Sequence, residues 1–212
     1  MARIYFSSRH SGNFGDHVGD DPGLVSRRRS SLARALSVPP IAFMNQVHGN
    51  VVQVITEAPT SAPTCDALVT SQRGLGLAVM VADCIPLLLT SDVAVAAVHV
   101  GRAGLVSEIS LKAIAIMRDL GAHQIAATVG PSICRNCYEV APHMYQEISS
   151  QLSATATNDL LHSLDLVAGL RQQLGSQVVD FSDLHICAKE SSDHFSYRRE
   201  QETGRQVGVV IL

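Results

Sequence analysis

The segment Gly74–Leu105, GLGLAVMVADCIPLLLTSDVAVAAVHVGRAGL, constrains this chain more than any other. Three apolar runs, Leu75–Ala82, Ile85–Leu89 and Val93–Val98, follow one another with almost no polar relief. Short apolar runs bounded by turn signals mark strands buried on both faces. Three in succession demand a sheet that is covered on both sides. Ser91-Asp92 is the sole turn signal between the second and third runs, which predicts an antiparallel hairpin. If the loop has two residues, Thr90 pairs with Val93 and Cys84 falls opposite His99. Directly opposed residues hold their Cβ atoms roughly 4.5–5.5 Å apart. A thiolate and an imidazole at that distance can share one metal ion or form a nucleophile–base pair. A longer loop centred on the same point keeps this register. An off-centre bulge breaks it, and Pro86, which cannot donate to a ladder, invites one.

The remaining chain alternates strands with helices, which predicts one domain over residues 1–212 whose sheet is mixed and flanked by helices. Residues 2–6 read as a strand. Asp21-Pro22 caps a helix running to Leu36, with Val25, Leu32 and Leu36 on one face and Pro39-Pro40 after it. Ile41–Val54 is strand-like but interrupted, and Cys65–Thr70 begins another strand. A helix runs from Ser107 or Glu108 to Leu120 on a stripe of Ile109, Ala113, Ile116, Met117 and Leu120, with Gly121 as its stop. Ile125–Gly130 is a strand. Pro142–Leu152 and Asp159–Leu174 are helices, and Gln177–Phe181 and Gln206–Leu212 are closing strands.

Composition excludes several classes. Hydrophobic residues make up 46% of the chain and aromatics 4%, with no Trp, so the core is aliphatic. Net charge is −3 and Arg27–Arg29 is the only basic run, which excludes a general nucleic-acid binder. No apolar run reaches a membrane span, and the start lacks the apolar stretch of a signal peptide. Five cysteines is an odd count that suits free thiols or metal ligands in the cytoplasm better than a disulfide framework.

His48, Cys84 and His99 together make a three-donor set with a fourth position open, the arrangement of catalytic zinc. Such an ion lowers the pKa of bound water to about 7. Without metal, Cys84 and His99 read as a cysteine-hydrolase dyad. Asp83 is either a ligand orienter or a general base, although strand alternation points it away from Cys84. Arg102, in Gly101-Arg102-Ala103-Gly104 before a helix, is either an anion contact or a surface arginine. Phe195-Ser-Tyr-Arg-Arg199 with Gly204-Arg205 either lines an anion or base pocket or forms an exposed edge. Cys134-x-x-Cys137 is half of a zinc site, a redox pair or neither, with a structural loop as the default, and no second C-x-x-C completes a four-cysteine site.

Taken in order, the motifs resemble the YfiH/laccase-domain family, which also carries the labels multicopper polyphenol oxidase and purine nucleoside phosphorylase. They are Gly15–Pro22, Gln46–Gly49, Asp66–Thr70, Ala82–Pro86, Val98–Gly101, Gly130-Pro131, Tyr138–Val140, Phe195–Arg199 and Thr203–Arg205. The resemblance implies an α+β fold: a mixed β-sheet sandwich flanked by helices, similar to cytotoxic necrotizing factor. It implies zinc on His48, Cys84 and His99, with Asp83 and Arg102 as catalytic candidates. It further implies phosphorolysis of adenosine, inosine, guanosine or methylthioadenosine, and deamination of adenosine. The partners are then a small purine nucleoside and phosphate, on a monomer or homodimer without nucleic acid or membrane. Two other readings stand beside it: a copper-dependent polyphenol oxidase, and an amidase editing peptidoglycan precursors with Cys84 as nucleophile. The chain lacks the H-x-H pairs that a multicopper cluster needs. It departs from the family's pattern where Gly-Trp-Arg-Gly becomes Gly101-Arg102-Ala103-Gly104, where Asn-Arg becomes Arg28-Arg29, at Gly169 in place of Asn, and where Cys-Thr becomes Cys187-Ala188.

Overall fold

The computed structural model describes residues 2–38, 40–157 and 162–212. In chain order its elements are β1 (Arg3–Phe6), α1 (Pro22–Ala35), β2 (Ile41–Ala42), β3 (Val52–Val54), β4 (Ala67–Thr70), β5 (Gly76–Val81), β6 (Ile85–Thr90) and β7 (Val95–Val100). They continue with α2 (Arg102–Val106), α3 (Ile109–Asp119), β8 (Ala126–Val129), α4 (Pro142–Gln151), α5 (Leu166–Leu174), β9 (Asp180–Asp183), α6 (Tyr197–Glu200) and β10 (Gln206–Ile211).

The three apolar runs became β5, β6 and β7, all buried, but they do not share one sheet. β5 lies in a four-stranded sheet of order β1-β10-β5-β2, and β6 and β7 lie in a six-stranded sheet of order β3-β4-β7-β6-β8-β9. Each sheet mixes parallel and antiparallel pairs. The chain crosses between them at Ala82–Cys84, where Asp83 takes a positive φ of 92°. Leu77, Val79 and Val210 of the first sheet meet Leu68, Leu88, Val95 and Ala97 of the second in an apolar interlayer. The first sheet's outer face (Ala78, Met80, Val207, Val209) packs on Leu32 of α1. The second sheet's outer face (Leu87, Leu89, Ala96, Val98) packs on Ile109, Ala113 and Met117 of α3 and on Leu170 and Leu174 of α5. The result is four layers, helix–sheet–sheet–helix, so both faces of both sheets are covered. That is why the central strands, Thr90 and His99 apart, are runs of apolar residues rather than alternating.

The hairpin register differs from the expected one. Thr90 pairs with Val95, and Pro86, not Cys84, lies opposite His99. The cause is Ser91, whose Oγ accepts from the backbone N–H groups of Val93 and Ala94 at 3.3 and 3.0 Å. This side chain closes a four-residue loop, Ser91–Ala94, in place of the two-residue turn. The slip is two residues, and an even slip returns every side chain to its original face. Cys84 and His99 therefore still face the interlayer, as diagonal rather than direct neighbours.

Helix boundaries follow local chemistry. The Asp21 carboxylate accepts from Leu24 N–H at 2.7 Å and starts α1 as expected. Asp165 caps α5 by accepting from Ala168 N–H at 2.8 Å, so that helix begins at Leu166 rather than Asp159. Asp159, Leu160 and Leu161 lie outside the described residues. Ahead of α3 stands an extra short helix, α2, and Ile114 rather than Leu120 completes the buried stripe of α3. Gly121 ends that stretch at φ 96°, a conformation suited to glycine. Among the described residues, no helix is long and apolar enough to cross a membrane.

Candidate metal centre and active-site cavity

His99 occupies β7 and His48 the loop between β2 and β3, and Cys84 ends the crossing between sheets. One donor atom from each comes within 4.8 Å of the other two. The Cys84 sulfur is 3.8 Å from His48 Nε2, and the His48 and His99 rings meet edge-on at 4.7 Å between centroids.

Asp66, a residue whose role the sequence reading missed, organises this trio. Its carboxylate is fully buried at the entry to β4. It accepts from His99 Nδ1 at 2.8 Å, which reserves Nε2 of His99 for ligation once that nitrogen has lost its proton. It also accepts from the backbone N–H groups of Val47, His48 and Gly49 at 3.3, 2.9 and 2.7 Å. His48 has φ 59°, a left-handed conformation costly for a residue with a side chain. Three N–H bonds to one carboxylate offset that cost and fix the loop that presents His48. Among the motifs quoted from the sequence, Asp66-Ala-Leu-Val-Thr70 carried the signal, as an acid placed directly before an apolar strand.

The protonation states couple. Burial pushes the Cys84 thiol up, but the charge of His99 and hydrogen bonds from His48 and His99 outweigh it and bring the pKa to about 6. Burial pushes His99 down, but the Cys84 thiolate and Asp66 outweigh it and raise the imidazole to about 9. Near neutrality the direction is thiolate beside imidazolium. Two imidazoles and a thiolate suit a borderline divalent cation such as zinc. Binding one requires His99 to give up its proton.

The three donors open onto a cavity of about 340 Å³, within the size range of small-molecule sites. Its walls include Gln46, Met80, Ile133, Tyr138, Tyr197, Arg198 and Arg205. Gln46 is locked by paired bonds with the Met80 backbone at 2.7 and 2.8 Å. Of the tail segment, Tyr197, Arg198 and Arg205 line the pocket, while Tyr197 remains 58% exposed. Asp83 lines it too, because its positive φ breaks the alternation expected to turn it away. Its Oδ2 accepts from Arg198 N–H at 2.7 Å, and its buried Oδ1 has no partner among the described residues. Arg102 stands outside this cavity, in an adjoining depression with Tyr138, Glu139 and Arg198. Burial raises the Tyr138 hydroxyl pKa against the lowering pull of Arg102.

Fold and site together define a two-sheet α+β protein with a three-donor N/S centre facing a small-molecule cavity. Residues 4–212 match the family described as multi-copper polyphenol oxidoreductase laccase, and the chain belongs to it. It is 43% identical to a purine nucleoside phosphorylase of Streptomyces coelicolor over 94% of this chain and 87% of that protein. It is 46% identical to one from Corynebacterium glutamicum over 94% of this chain and 86% of that protein. The crystal structure of YfiH from Bacillus licheniformis superposes with a TM-score of 0.88 at 25% identity, covering 100% of this chain and 92% of that one. The YfiH resemblance and the α+β sandwich expected from the motifs therefore hold.

Proposed function

We propose that this chain is a zinc-dependent purine nucleoside phosphorylase. The observation that carries the reading is the His48–Cys84–His99 trio opening onto a cavity that holds two tyrosines and two arginines. Relatives of similar length that bear the name purine nucleoside phosphorylase support the substrate class.

Phosphorolysis joins a phosphate oxygen to ribose C1′ as the bond from C1′ to the purine nitrogen breaks. Arg205 and Arg198 supply the positive charge that holds the attacking phosphate. Arg205 Nη1 donates to the backbone carbonyls of Thr203 and Gly204 at 2.9 and 3.1 Å, so its guanidinium is oriented before phosphate arrives. Tyr138 and Tyr197 offer faces for the purine. Asp83 lines the cavity, and its Oδ2, which already accepts from Arg198 N–H, keeps a lone pair for a ribose hydroxyl or a purine N–H, which makes Asp83 a substrate contact. Arg102, outside the cavity, acts on substrate only through Tyr138, the wall residue that the two depressions share. Zinc, when bound by His48, Cys84 and His99, supplies Lewis-acid polarisation. Asp66 keeps His99 in the tautomer that ligation needs. Hydrolytic deamination of adenosine belongs to the same proposal, since it needs the same purine pocket. Phosphate-dependent release of hypoxanthine from inosine tests the reading. No release by zinc-loaded protein overturns it.

One observation favours a second reading, a cysteine amidase. Cys84, His99 and Asp66 form a thiolate–imidazole–carboxylate relay of the kind that activates a nucleophile. Under that reading, protein stripped of zinc outperforms loaded protein, and alkylation of Cys84 abolishes activity.

A further inference from the structure

The Cys134-x-x-Cys137 pair finds its missing half in the fold. Ser132 and Cys187 form a parallel bridge: Ser132 N–H donates to Ile186 O at 3.1 Å and Ala188 N–H donates to Ser132 O at 2.9 Å. This bridge lays Cys187-Ala-Lys-Glu190 beside Cys134-Arg-Asn-Cys137. The second segment repeats the two-residue spacing of the first, with Glu in the last place. One donor from each of Cys134, Cys137, Cys187 and Glu190 lies within 4.8 Å of every other. A tetrahedral ion with metal–sulfur bonds of ~2.3 Å holds its sulfurs ~3.8 Å apart, so the four donors need only a small contraction.

We propose that Cys134, Cys137, Cys187 and Glu190 hold a second zinc ion, with a structural role. Four donors close the coordination sphere, whereas the three-donor centre keeps a position open. Three thiolates select a thiophilic ion, and the carboxylate favours zinc over cuprous copper. The backbone is already arranged as two knuckles. Cys137 and Tyr138 N–H groups donate to Cys134 O at 3.0 and 3.2 Å, and Ser191 N–H donates to Cys187 O at 2.9 Å. Cys134 N–H points at the Cys187 sulfur at 3.4 Å, where it stabilises a thiolate. Each knuckle also carries one cation, Arg135 and Lys189, against the net negative charge of three thiolates and a carboxylate on a dication.

The clamp sits behind the cavity wall. Ile133 and Tyr138, which flank the first knuckle, line the cavity, and Ile133 N–H donates to Asp83 O at 2.8 Å. On the second knuckle, Arg199 Nη1 donates to the carbonyls of Ala188, Lys189 and Ser191 at 3.0, 2.8 and 2.9 Å. The ion therefore ties the loop that carries Ile133 and Tyr138 to the segment that carries Arg198.

Elemental analysis of protein purified under reducing conditions without added metal tests this. About two zinc ions per chain are expected. Cys84→Ser loses one and leaves the other. Cys187→Ser loses the other, and a cobalt-substituted Cys84→Ser chain retains an intense thiolate-to-cobalt charge-transfer band. Glu190→Gln, which leaves all three thiols in place, keeps the fold but surrenders its zinc to a chelator faster than wild type. A Cys187→Ser chain with the same zinc content as wild type overturns the proposal. So does a disulfide among Cys134, Cys137 and Cys187 in protein kept under reducing conditions.

Discussion

Asp66→Asn replaces one carboxylate oxygen with an amide NH2 and changes almost nothing else in shape. Each oxygen of Asp66 serves two donors: Oδ1 takes His48 N–H and His99 Nδ1, and Oδ2 takes Val47 and Gly49 N–H. Whichever way the amide turns, two donors lose their acceptor inside a fully buried site. A buried donor without a partner costs ~1–3 kcal/mol, so the metal-free fold loses ~2–6 kcal/mol. For a chain of this size that lowers Tm by roughly 5–20 °C. The ligands suffer separately, because His99 loses its orienting charge and the His48 loop its anchor. Disturbing such an orienting contact weakens metal binding by about 10–100-fold, or ~1.4–2.8 kcal/mol. Thermal unfolding of chelator-treated protein measures the first effect, and zinc competition against a chromophoric chelator measures the second. An Asp66→Asn chain that binds zinc within about twofold of wild type refutes the claim that Asp66 positions the ligands.

Three further changes probe separate parts of the account. An added Cβ at Gly101 would stand 3.1 Å from His48 Cδ2 and 3.2 Å from the Cys84 sulfur; Gly101→Ala therefore weakens zinc binding by about tenfold in the same competition assay while leaving the Tm of chelated protein nearly unchanged. Arg205→Ala raises KM for phosphate by about tenfold with a smaller change in kcat, as loss of a charged binding contact does, read from initial rates at varied phosphate. Glu200 has the opposite acid response to a group such as His99. Burial pushes its carboxyl up, but bonds from Thr203, Arg199 and Arg9 outweigh it and lower the pKa to about 2. The unfolded chain then binds the proton more readily, so this stability is fully present above the ordinary value of 4.5 and is lost as pH falls towards 2. Denaturant unfolding across that window shows a steeper acid loss in wild type than in Glu200→Gln.

The sequence carried the site further than it carried the ladder. His48, Cys84 and His99 converge although the register that suggested them was wrong, because the slip was even and face depends only on parity. What moved the register was one hydroxyl, Ser91 Oγ, choosing between two turn lengths, and apolar patterning has no information about that choice. The split of the three runs between two sheets was also hidden. A strand covered on both faces reads alike in either sheet, and only the polar Asp83-Cys84 break marked the crossing. Asp83 was misdirected for a related reason, since alternation holds along a strand and fails at a residue with φ 92°. Asp66 and Glu190 escaped because a carboxylate's role depends on neighbours 17 to 53 positions away in sequence. Cys187–Glu190 reads C-x-x-E, which keeps the two-residue spacing but not the second cysteine of a C-x-x-C. Helix α1 and the stop at Gly121 were legible because their signals, a capping carboxylate and a residue free to take positive φ, act within one turn.

The central claim is that the His48–Cys84–His99 centre and the arginine-lined cavity act together on a purine nucleoside and phosphate. The most direct measurement follows hypoxanthine release from inosine by zinc-loaded protein, with and without phosphate, for wild type and His48→Ala. The account predicts release that requires phosphate, yields ribose 1-phosphate in equal amount, and falls by at least about a hundredfold in His48→Ala. Release at the same rate without phosphate, or equal rates in the two proteins, contradicts it.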